Sequence, residues 1–243
     1  MKFRLPLRTL MLGAALVSAT AFVGNAAIAQ DQAEPDAATA EPLVDPDQPA
    51  PKAEQLSAKI DIDPSHDSEN VLVLDLSTGG RVMIRLKPEW APKHVERIKA
   101  LASEGFYDGL IFHRVIDGFM AQTGDPTGTG QGGSQLPDLN AEFNSIPHVR
   151  GTVSMARTNE PNSANSQFFI VFYPRFSLDH KYTAFGRVIS GMQYVDAIHR
   201  GEPPEDPTKI LQASLYSQGK AAPAMPSTAP ANDKPVTLDQ LGS

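Results

Sequence analysis

Residues 112–125 (FHRVIDGFMAQTGD) carry the side chains best suited to chemistry: Arg114, Met120 and Gln122, set among aromatic and apolar neighbours. The stretch reads as two short strands joined at an Asp-Gly turn. It offers no acid/base pair and no nucleophile flanked by a base. An arginine among apolar strand residues favours chemistry done by hydrogen bonding and desolvation rather than by proton transfer.

Strand alternation predicts which of these side chains share a face. In a strand, every second side chain points the same way. We therefore expect Phe112, Arg114 and Ile116 on one face of the first strand. Met120 and Gln122 share a face of the second strand.

A further strand is predicted at residues 166–172 (SQFFIVF). Gln167, Phe169 and Val171 fall on one face, which places an amide beside a phenylalanine, much as Gln122 accompanies Met120. The opposite face consists of Phe168, Ile170 and Phe172, and it is typical of a buried core.

Many short strands and two helices are predicted between residues 71 and 217. Strands are expected at 71–76, 81–86, around 112 and 120, and at 153–156, 167–172, 184–189 and 209–215, with helices from Pro92 to about Gly105 and at 192–199. This pattern favours a mainly β fold, an antiparallel β-barrel capped by helices.

Composition excludes several classes of function. None of the 243 residues is cysteine, so disulfides, thiolate zinc sites and cysteine nucleophiles are excluded. The net charge is −7, which gives no broad basic surface for nucleic acid or anionic lipid.

Residues 1–29 are predicted to be a secretory signal peptide. Basic residues precede a short apolar run, and Ala27-Ile28-Ala29 is typical of a cleavage site after Ala29. We expect an exported, periplasmic protein that meets the membrane only transiently. The alternative is an uncleaved N-terminus that anchors the protein to the inner membrane, although the apolar run is short for a span.

Two segments of biased composition flank the predicted domain. Residues 30–69 are rich in Ala, Pro and acidic residues, which predicts a disordered linker. The domain is expected at residues 70–217, and residues 218–243 are predicted to be a flexible Ala/Pro-rich tail.

Five sequence blocks, taken together and in order, resemble one known family. They are FHRVI (112–116), GFMAQTGD (118–125), SMAR (154–157), NSQFFI (165–170) and FGRV (185–188). The chain in this region resembles the cyclophilin family of peptidyl-prolyl cis-trans isomerases. The resemblance implies a closed eight-stranded antiparallel β-barrel capped by two α-helices, with a substrate groove on its surface.

The resemblance also implies roles for individual residues. By motif position, Arg114 is the catalytic arginine, and Gln122 and Gln167 orient it and bind the substrate backbone. The residues implied to bind the proline ring and its peptide are Phe119, Met120, Ala156, Arg157, Phe169, Phe176, Leu178 and Tyr182. Phe176 is the aromatic nearest a tryptophan of the eukaryotic pattern, and Tyr182 replaces a histidine; both changes resemble bacterial members.

The implied reaction suits these residue types. Amide resonance opposes rotation of an Xaa-Pro bond with a barrier of about 18–20 kcal/mol. In the twisted transition state the prolyl nitrogen regains its lone pair, and Arg114 can donate a hydrogen bond to it. That bond is stronger in the twisted state than in the planar one, which is what catalysis requires. Because no bond is broken, no metal or cofactor is needed.

We therefore expect a monomeric isomerase that acts on proline-containing, unfolded or partly folded polypeptides. An alternative is a proline-peptide binding or holdase module in which the acidic linker recruits partners. A hydrolase has no support, because Ser134 and Ser154 lack a nucleophile-elbow context. The glycines of residues 124–133 do not form a phosphate loop, and the histidines lack metal-ligand spacing.

Overall fold

The structure is a computed structural model that describes residues 56–224. The predicted signal peptide, residues 30–55 of the predicted linker and residues 225–243 of the predicted tail lie outside the described residues. The elements are β1 (Val71–Leu76), β2 (Gly80–Leu86), α1 (Pro92–Ser103), β3 (Arg114–Ile116), β4 (Met120–Thr123), β5 (Thr152–Met155), β6 (Phe168–Val171), β7 (Ala184–Ser190), α2 (Met192–Asp196) and β8 (Ile210–Leu215). The predicted strands and helices are confirmed, with ends that differ by a few residues.

All eight strands form one antiparallel sheet in the order β3-β4-β6-β5-β7-β2-β1-β8. The sheet curls into an open half-barrel, so the expected closed barrel is wrong. Among the described strands, the end strands β3 and β8 share no ladder. Isolated contacts join the irregular segments before them instead, such as the bridge from Ile111 to Lys209 and the 2.9 Å bond from the amide of Phe112 to Thr208 O. A ladder requires regular strand structure in both segments. Because β3 begins only at Arg114, the residues before it form isolated contacts and no ladder with β8.

The main core lies between the sheet and helix α1. The helix contributes Val95, Ile98 and Leu101, whose spacing of three residues places them on one face. The predicted core face of β6 is confirmed. This core contains the buried side chains of Phe168 and Ile170 from the strand and of Phe172, the residue directly after it.

Helix α1 is capped by a residue distant in sequence. Ala91 at its N-cap provides no side-chain hydrogen bond. The Glu142 carboxylate instead accepts from the backbone amides of Lys93 (3.1 Å) and His94 (3.2 Å), and from His94 Nδ1 at 2.7 Å. A carboxylate here satisfies free amides and complements the helix dipole.

The segment that precedes β1 lies against the domain. Arg85 of β2 is 3% exposed and donates to the carbonyl oxygens of Asp61 (3.2 Å), Asp63 (2.6 Å), His66 (2.6 Å) and Asp67 (3.0 Å). A buried charge is tolerated when its hydrogen bonds are satisfied in this way. Residues 61–67 therefore contact the domain, although the predicted domain boundary is at residue 70.

Apolar contacts extend this docking toward the N-terminal side. Trp90 Nε1 donates to Ser57 O at 3.1 Å. Leu56 and Ile60 pack against a small cluster that contains Trp90 and Ile146. Part of the predicted linker therefore covers apolar surface of the domain.

Replacing Arg85 tests this docking. We expect Arg85→Ala to lower the free energy of unfolding by about 3 kcal/mol, because four carbonyl groups lose a charged donor. Amide hydrogen exchange in residues 61–67 should speed up as well. Arg187→Ala is the matched control, since Arg187 pairs with Arg85 across the sheet but makes one 3.4 Å bond. Equal effects of the two changes, measured by urea unfolding, would contradict this account.

Candidate active site

The predicted catalytic residues Arg114 and Gln122 lie in one row across the sheet with Phe169, a predicted substrate-binding residue. Arg114 of β3 lies opposite Gln122 of β4, Gln122 lies opposite Phe169 of β6, and Phe169 lies opposite Ser154 of β5. Directly paired residues in an antiparallel sheet project to the same face. Four of the sequence blocks, at residues 112–116, 118–125, 154–157 and 165–170, are thereby brought side by side.

An apolar patch flanks this row. Met120, Phe169 and Val171 form a cluster separate from the main core, as the predicted strand faces require. The partly buried side chains packed against the cluster are Ile116, Phe119, Ala156, Leu178 and Tyr182. The apolar character of this patch suits contact with a small apolar ring.

One predicted strand face is wrong. Phe112 was expected beside Arg114 and Ile116, but it is fully buried in the main core together with Val115. The regular strand begins at Arg114, so alternation does not extend back to residue 112. His113 is also buried, and within residues 56–224 neither of its ring nitrogens has a hydrogen-bond partner.

The two glutamines form a chain of amide hydrogen bonds. Gln122 Nε2 donates to Gln167 Oε1 at 2.8 Å, and Gln167 Nε2 donates to the carbonyl oxygens of Gly130 (3.1 Å) and Gly132 (2.7 Å). The glycine-rich loop therefore fixes both amides. Each glutamine keeps a defined orientation toward the groove.

Asp125 braces that loop from inside. Its carboxylate accepts from Thr127 N and Thr127 Oγ1, both at 2.7 Å, and from Gly130 N at 2.6 Å. Burial acts to raise the pKa of Asp125, but these hydrogen bonds outweigh it and lower the pKa to about 2. The carboxylate stays ionised, and the loop stays braced, throughout the physiological range.

The structure gives Arg114 a partner that the sequence did not predict. Arg114 Nε donates to Glu202 Oε2 at 2.7 Å. Gln122, which is predicted to orient the arginine, donates its Nε2 to Gln167 Oε1, and within residues 56–224 the structure shows no hydrogen bond between Gln122 and Arg114. The two residues that meet here are 88 positions apart, and no local motif signals the contact.

Arg157 and Tyr182 stack at the far edge of the patch. The Arg157 guanidinium lies 4.7 Å from the Tyr182 ring centre, and Tyr182 packs edge-on against Phe169 with ring centres 5.7 Å apart. Arg157 Nε also donates to Lys181 O at 3.0 Å. These contacts hold the predicted pair Ala156-Arg157 beside the apolar patch.

Phe176 lies apart from the other predicted pocket residues. Its side chain is 64% exposed and is not among those packed on the cluster of Met120 and Phe169. The neighbouring Arg175 instead places its guanidinium 4.7 Å from the Phe119 ring centre. A cation over the ring face stabilises that wall of the patch.

A buried polar triad supports the patch from below. Ser154 Oγ lies 2.8 Å from His148 Nε2, and His148 Nδ1 lies 2.8 Å from Asp179 Oδ1. The His148 ring stacks on Phe169, with ring centres 6.3 Å apart. Ser154 and His148 are fully buried, so this arrangement cannot meet a substrate and acts as support. Its members are scattered in sequence, which is why no motif predicted it.

Within residues 56–224, no three His, Asp or Glu side chains lie close enough together to hold a metal ion. The groove instead offers an apolar patch, two fixed amides and a half-exposed guanidinium. This set can bind a peptide backbone, desolvate a ring and donate hydrogen bonds.

Comparisons with known proteins agree with this geometry. The family model for cyclophilin-type peptidyl-prolyl cis-trans isomerases matches residues 73–215, more than half of the chain. The chain belongs to that family. The matched range contains every predicted site residue and nearly all of the sheet.

Related cyclophilins occur in bacteria and fungi. A probable peptidyl-prolyl cis-trans isomerase of Brucella suis is 48% identical over 170 residues, covering 63% of this chain and 86% of that protein. Peptidyl-prolyl cis-trans isomerase ppi1 of Schizosaccharomyces pombe is 42% identical over 142 residues, covering 55% of this chain and 92% of that protein.

Solved cyclophilin structures share the fold. A cyclophilin from Hirschia baltica superposes with a TM-score of 0.58 at 32% identity, covering 62% of this chain and 75% of that one. A Cryptosporidium parvum cyclophilin, solved in the presence of the dipeptide Ala-Pro, superposes with a TM-score of 0.56 at 30% identity, covering 60% of this chain and 98% of that one.

Acidification should destabilise this cyclophilin. Burial lowers the pKa of His94, His113 and His148 below the ordinary 6.5. As pH falls below 6.5, the unfolded chain binds more protons at these histidines than the folded protein does, so the free energy of unfolding decreases. Urea unfolding at pH 7.5 and 5.5 measures the difference.

A histidine replacement provides the control for this prediction. His113→Asn should reduce the pH dependence of stability, because it removes one buried titrating group. A free energy of unfolding that is constant between pH 7.5 and 5.5 would contradict the prediction.

Proposed function

We propose that this cyclophilin accelerates the isomerisation of Xaa-Pro bonds in exported polypeptides as they fold, and that the row through Arg114, Gln122 and Phe169 carries the activity. The isomerase chemistry is that of the family. The observation that carries the site assignment is the strand register that sets a guanidinium, an amide and an apolar wall side by side.

Binding begins with the proline ring. The ring packs against Met120, Phe169 and Leu178, whose cluster faces away from the main core. Burial of its methylene groups contributes about 0.8 kcal/mol each. The Cryptosporidium parvum cyclophilin crystallised with Ala-Pro supports a proline-containing ligand for this patch.

The glutamines hold the peptide backbone next to that ring. Gln122 and Gln167 are fixed by their own hydrogen bond and by the glycine-rich loop, so they lose little conformational entropy on binding. Ala156 and Arg157 border the same groove, beside the ring of Tyr182. The substrate chain thereby lies along the row with its Xaa-Pro bond near Arg114.

Arg114 then lowers the rotational barrier. Its Nη groups donate to the prolyl nitrogen, whose lone pair is available only when the amide is twisted. The apolar wall excludes water that would otherwise stabilise the planar, polar amide. Rotation needs no proton transfer, so the site works without an acid/base pair.

The proposal that the protein is exported rests on residues 1–29, which have basic residues at the start, then an apolar run and small residues before Gln30. Within residues 56–224, no helix combines the length and apolar character required to cross a membrane. We propose a periplasmic location and clients among newly exported, proline-containing chains.

Replacing Arg114 tests the site. Arg114→Ala should lower kcat/KM on a short Ala-Pro peptide by about 10²–10³-fold, the range seen when one transition-state hydrogen-bond donor is removed. Arg114→Lys should also remain strongly impaired, because an ammonium lacks the rigid fork of a guanidinium. Exchange NMR of the peptide measures both rates.

The control removes the same charge elsewhere. Lys93→Ala on helix α1 should leave turnover unchanged, because that lysine is 71% exposed and pairs with Glu96. Circular dichroism establishes that each variant is folded. A folded Arg114→Ala protein with normal turnover would overturn the site, and normal client folding despite lost turnover would favour a holdase.

The signal peptide has a separate test. Mass spectrometry of the protein purified from the periplasm should find Gln30 as its first residue, because cleavage follows Ala29. Ala29→Arg should block cleavage and leave the protein on the membrane, since a large charged residue does not fit the small-residue pattern. A mature protein that begins at Met1 would contradict cleavage.

A further inference from the structure

Arg114 of β3 forms an ion pair with Glu202. Glu202 Oε2 accepts from Arg114 Nε at 2.7 Å, and the two side chains are 42% and 51% exposed. Within residues 56–224, the structure gives the two Nη groups of Arg114 no hydrogen-bond partner. The carboxylate therefore holds the guanidinium by one nitrogen and leaves the other two free to donate.

The fold places Glu202 beside Arg114 through the main chain. Gly201 and Val115 form an isolated antiparallel bridge, with the amide of Val115 bonded to Gly201 O at 2.8 Å and the reverse bond at 2.9 Å. Val115 follows Arg114, and Glu202 follows Gly201. The two reciprocal backbone hydrogen bonds therefore fix the main chain next to Glu202, as the hydrogen-bonded pairs of a β-ladder do.

Gly201 permits this close approach. Its φ of +143° suits glycine, and a Cβ at this position would lie 2.6 Å from Pro204 Cα. A side chain here would push Pro204 away and displace Glu202 with it. The local sequence Gly-Glu-Pro-Pro therefore fits a loop that presents a carboxylate at a set point.

A second contact anchors the other side of the loop. Arg200 Nε donates to Asp117 Oδ1 at 3.2 Å, in the turn between β3 and β4. The Arg200 guanidinium lies 4.2 Å from the Phe172 ring centre. The loop is therefore held at two points that follow Arg114 in the chain, Val115 and Asp117.

Gln122, the residue predicted to orient Arg114, makes no hydrogen bond to it within residues 56–224. Gln122 Nε2 donates to Gln167 Oε1, and Gln167 in turn donates to Gly130 O and Gly132 O. This amide chain runs away from the arginine toward the glycine-rich loop. Glu202 is the group that the structure bonds to the guanidinium.

We propose that Glu202 is a positioning residue for the isomerase reaction, which holds Arg114 by its Nε so that the Nη groups face the Xaa-Pro bond. The proposal rests on the proposed role of Arg114. A guanidinium fixed before the substrate arrives loses less rotational freedom in the transition state than a mobile one. Glu202 lines the same cavity as Arg114 and Gln122 but lies outside the apolar cluster of Met120 and Phe169, so we expect its contribution to fall on turnover more than on binding of the proline ring.

Glu202→Ala tests the proposal. We expect kcat to fall about tenfold, with KM changed by less than about twofold, because the donor remains present but loses its orientation. The melting temperature should stay within about 2 °C of the parent, since a half-exposed ion pair contributes little stability. Exchange NMR over a range of Ala-Pro peptide concentrations separates kcat from KM.

Two variants separate orientation from charge. Glu202→Gln keeps an acceptor oxygen of the same reach without the charge, and it should restore most of kcat. Glu205→Ala removes the same charge from the same loop; Glu205 is exposed and forms no ion pair within residues 56–224, so kcat should not change.

A spectroscopic readout reports the contact directly. The Nε–H resonance of Arg114, assigned by its loss in Arg114→Lys, should be sharp and slowly exchanging in the parent and in Glu202→Gln. It should broaden in Glu202→Ala, because the hydrogen bond that protects the proton is removed.

The outcomes distinguish this inference from the site assignment. An unchanged kcat in Glu202→Ala would overturn the role of Glu202. A higher kcat/KM caused by a lower KM would overturn it too, because the carboxylate would then compete with the substrate for Arg114. Full activity of Arg114→Ala would overturn the site itself. Loss of activity in Arg114→Ala with normal kcat in Glu202→Ala would leave the site standing and remove only the role of Glu202.

Discussion

The pairing of β4 with β3 on one side and β6 on the other is the constraint on which the groove depends. This register alone sets Arg114, Gln122 and Phe169 in a row. Because side chains alternate along a strand, a slip of one residue in either pairing would turn one member of the row into the core. The opposite face of β6, with Phe168 and Ile170 buried in the main core, makes such a slip costly.

The remaining features hold this row in place from different directions. Below it, the buried hydrogen bonds among His148, Asp179 and Ser154 support the ring of Phe169. Beside it, the loop braced by Asp125 fixes the amide of Gln167. Isomerisation asks a protein to favour a twisted amide over a planar one, and a rigid row of donors beside an apolar wall meets that requirement.

Sequence reasoning succeeded where local periodicity and motifs decide the structure. The predicted faces of β4 and β6 are confirmed, because regular strands alternate strictly and their apolar residues divide between the two clusters. The same reasoning failed at Phe112, where the chain is not yet a strand. The closed barrel, which the resemblance to cyclophilins implied, is also wrong, because the described end strands β3 and β8 share no ladder.

Contacts between distant segments could not be predicted from the sequence. Glu202 reaches Arg114 because a backbone bridge joins Gly201 to Val115, and His148 contacts Asp179, which lies 31 residues later in the chain. Neither contact leaves a pattern in the surrounding residues. The docking of residues 56–67 through Arg85 is similar, since a single arginine in a strand does not reveal which carbonyl groups it will bind.

The most direct test of the account is a crystal structure of the mature protein with a short peptide that contains Ala-Pro. We predict that the proline ring contacts Met120 and Phe169, with an Nη atom of Arg114 within hydrogen-bond distance of the prolyl nitrogen. A proline ring bound away from this patch, or an Arg114 side chain turned away from the Xaa-Pro bond, would contradict the account.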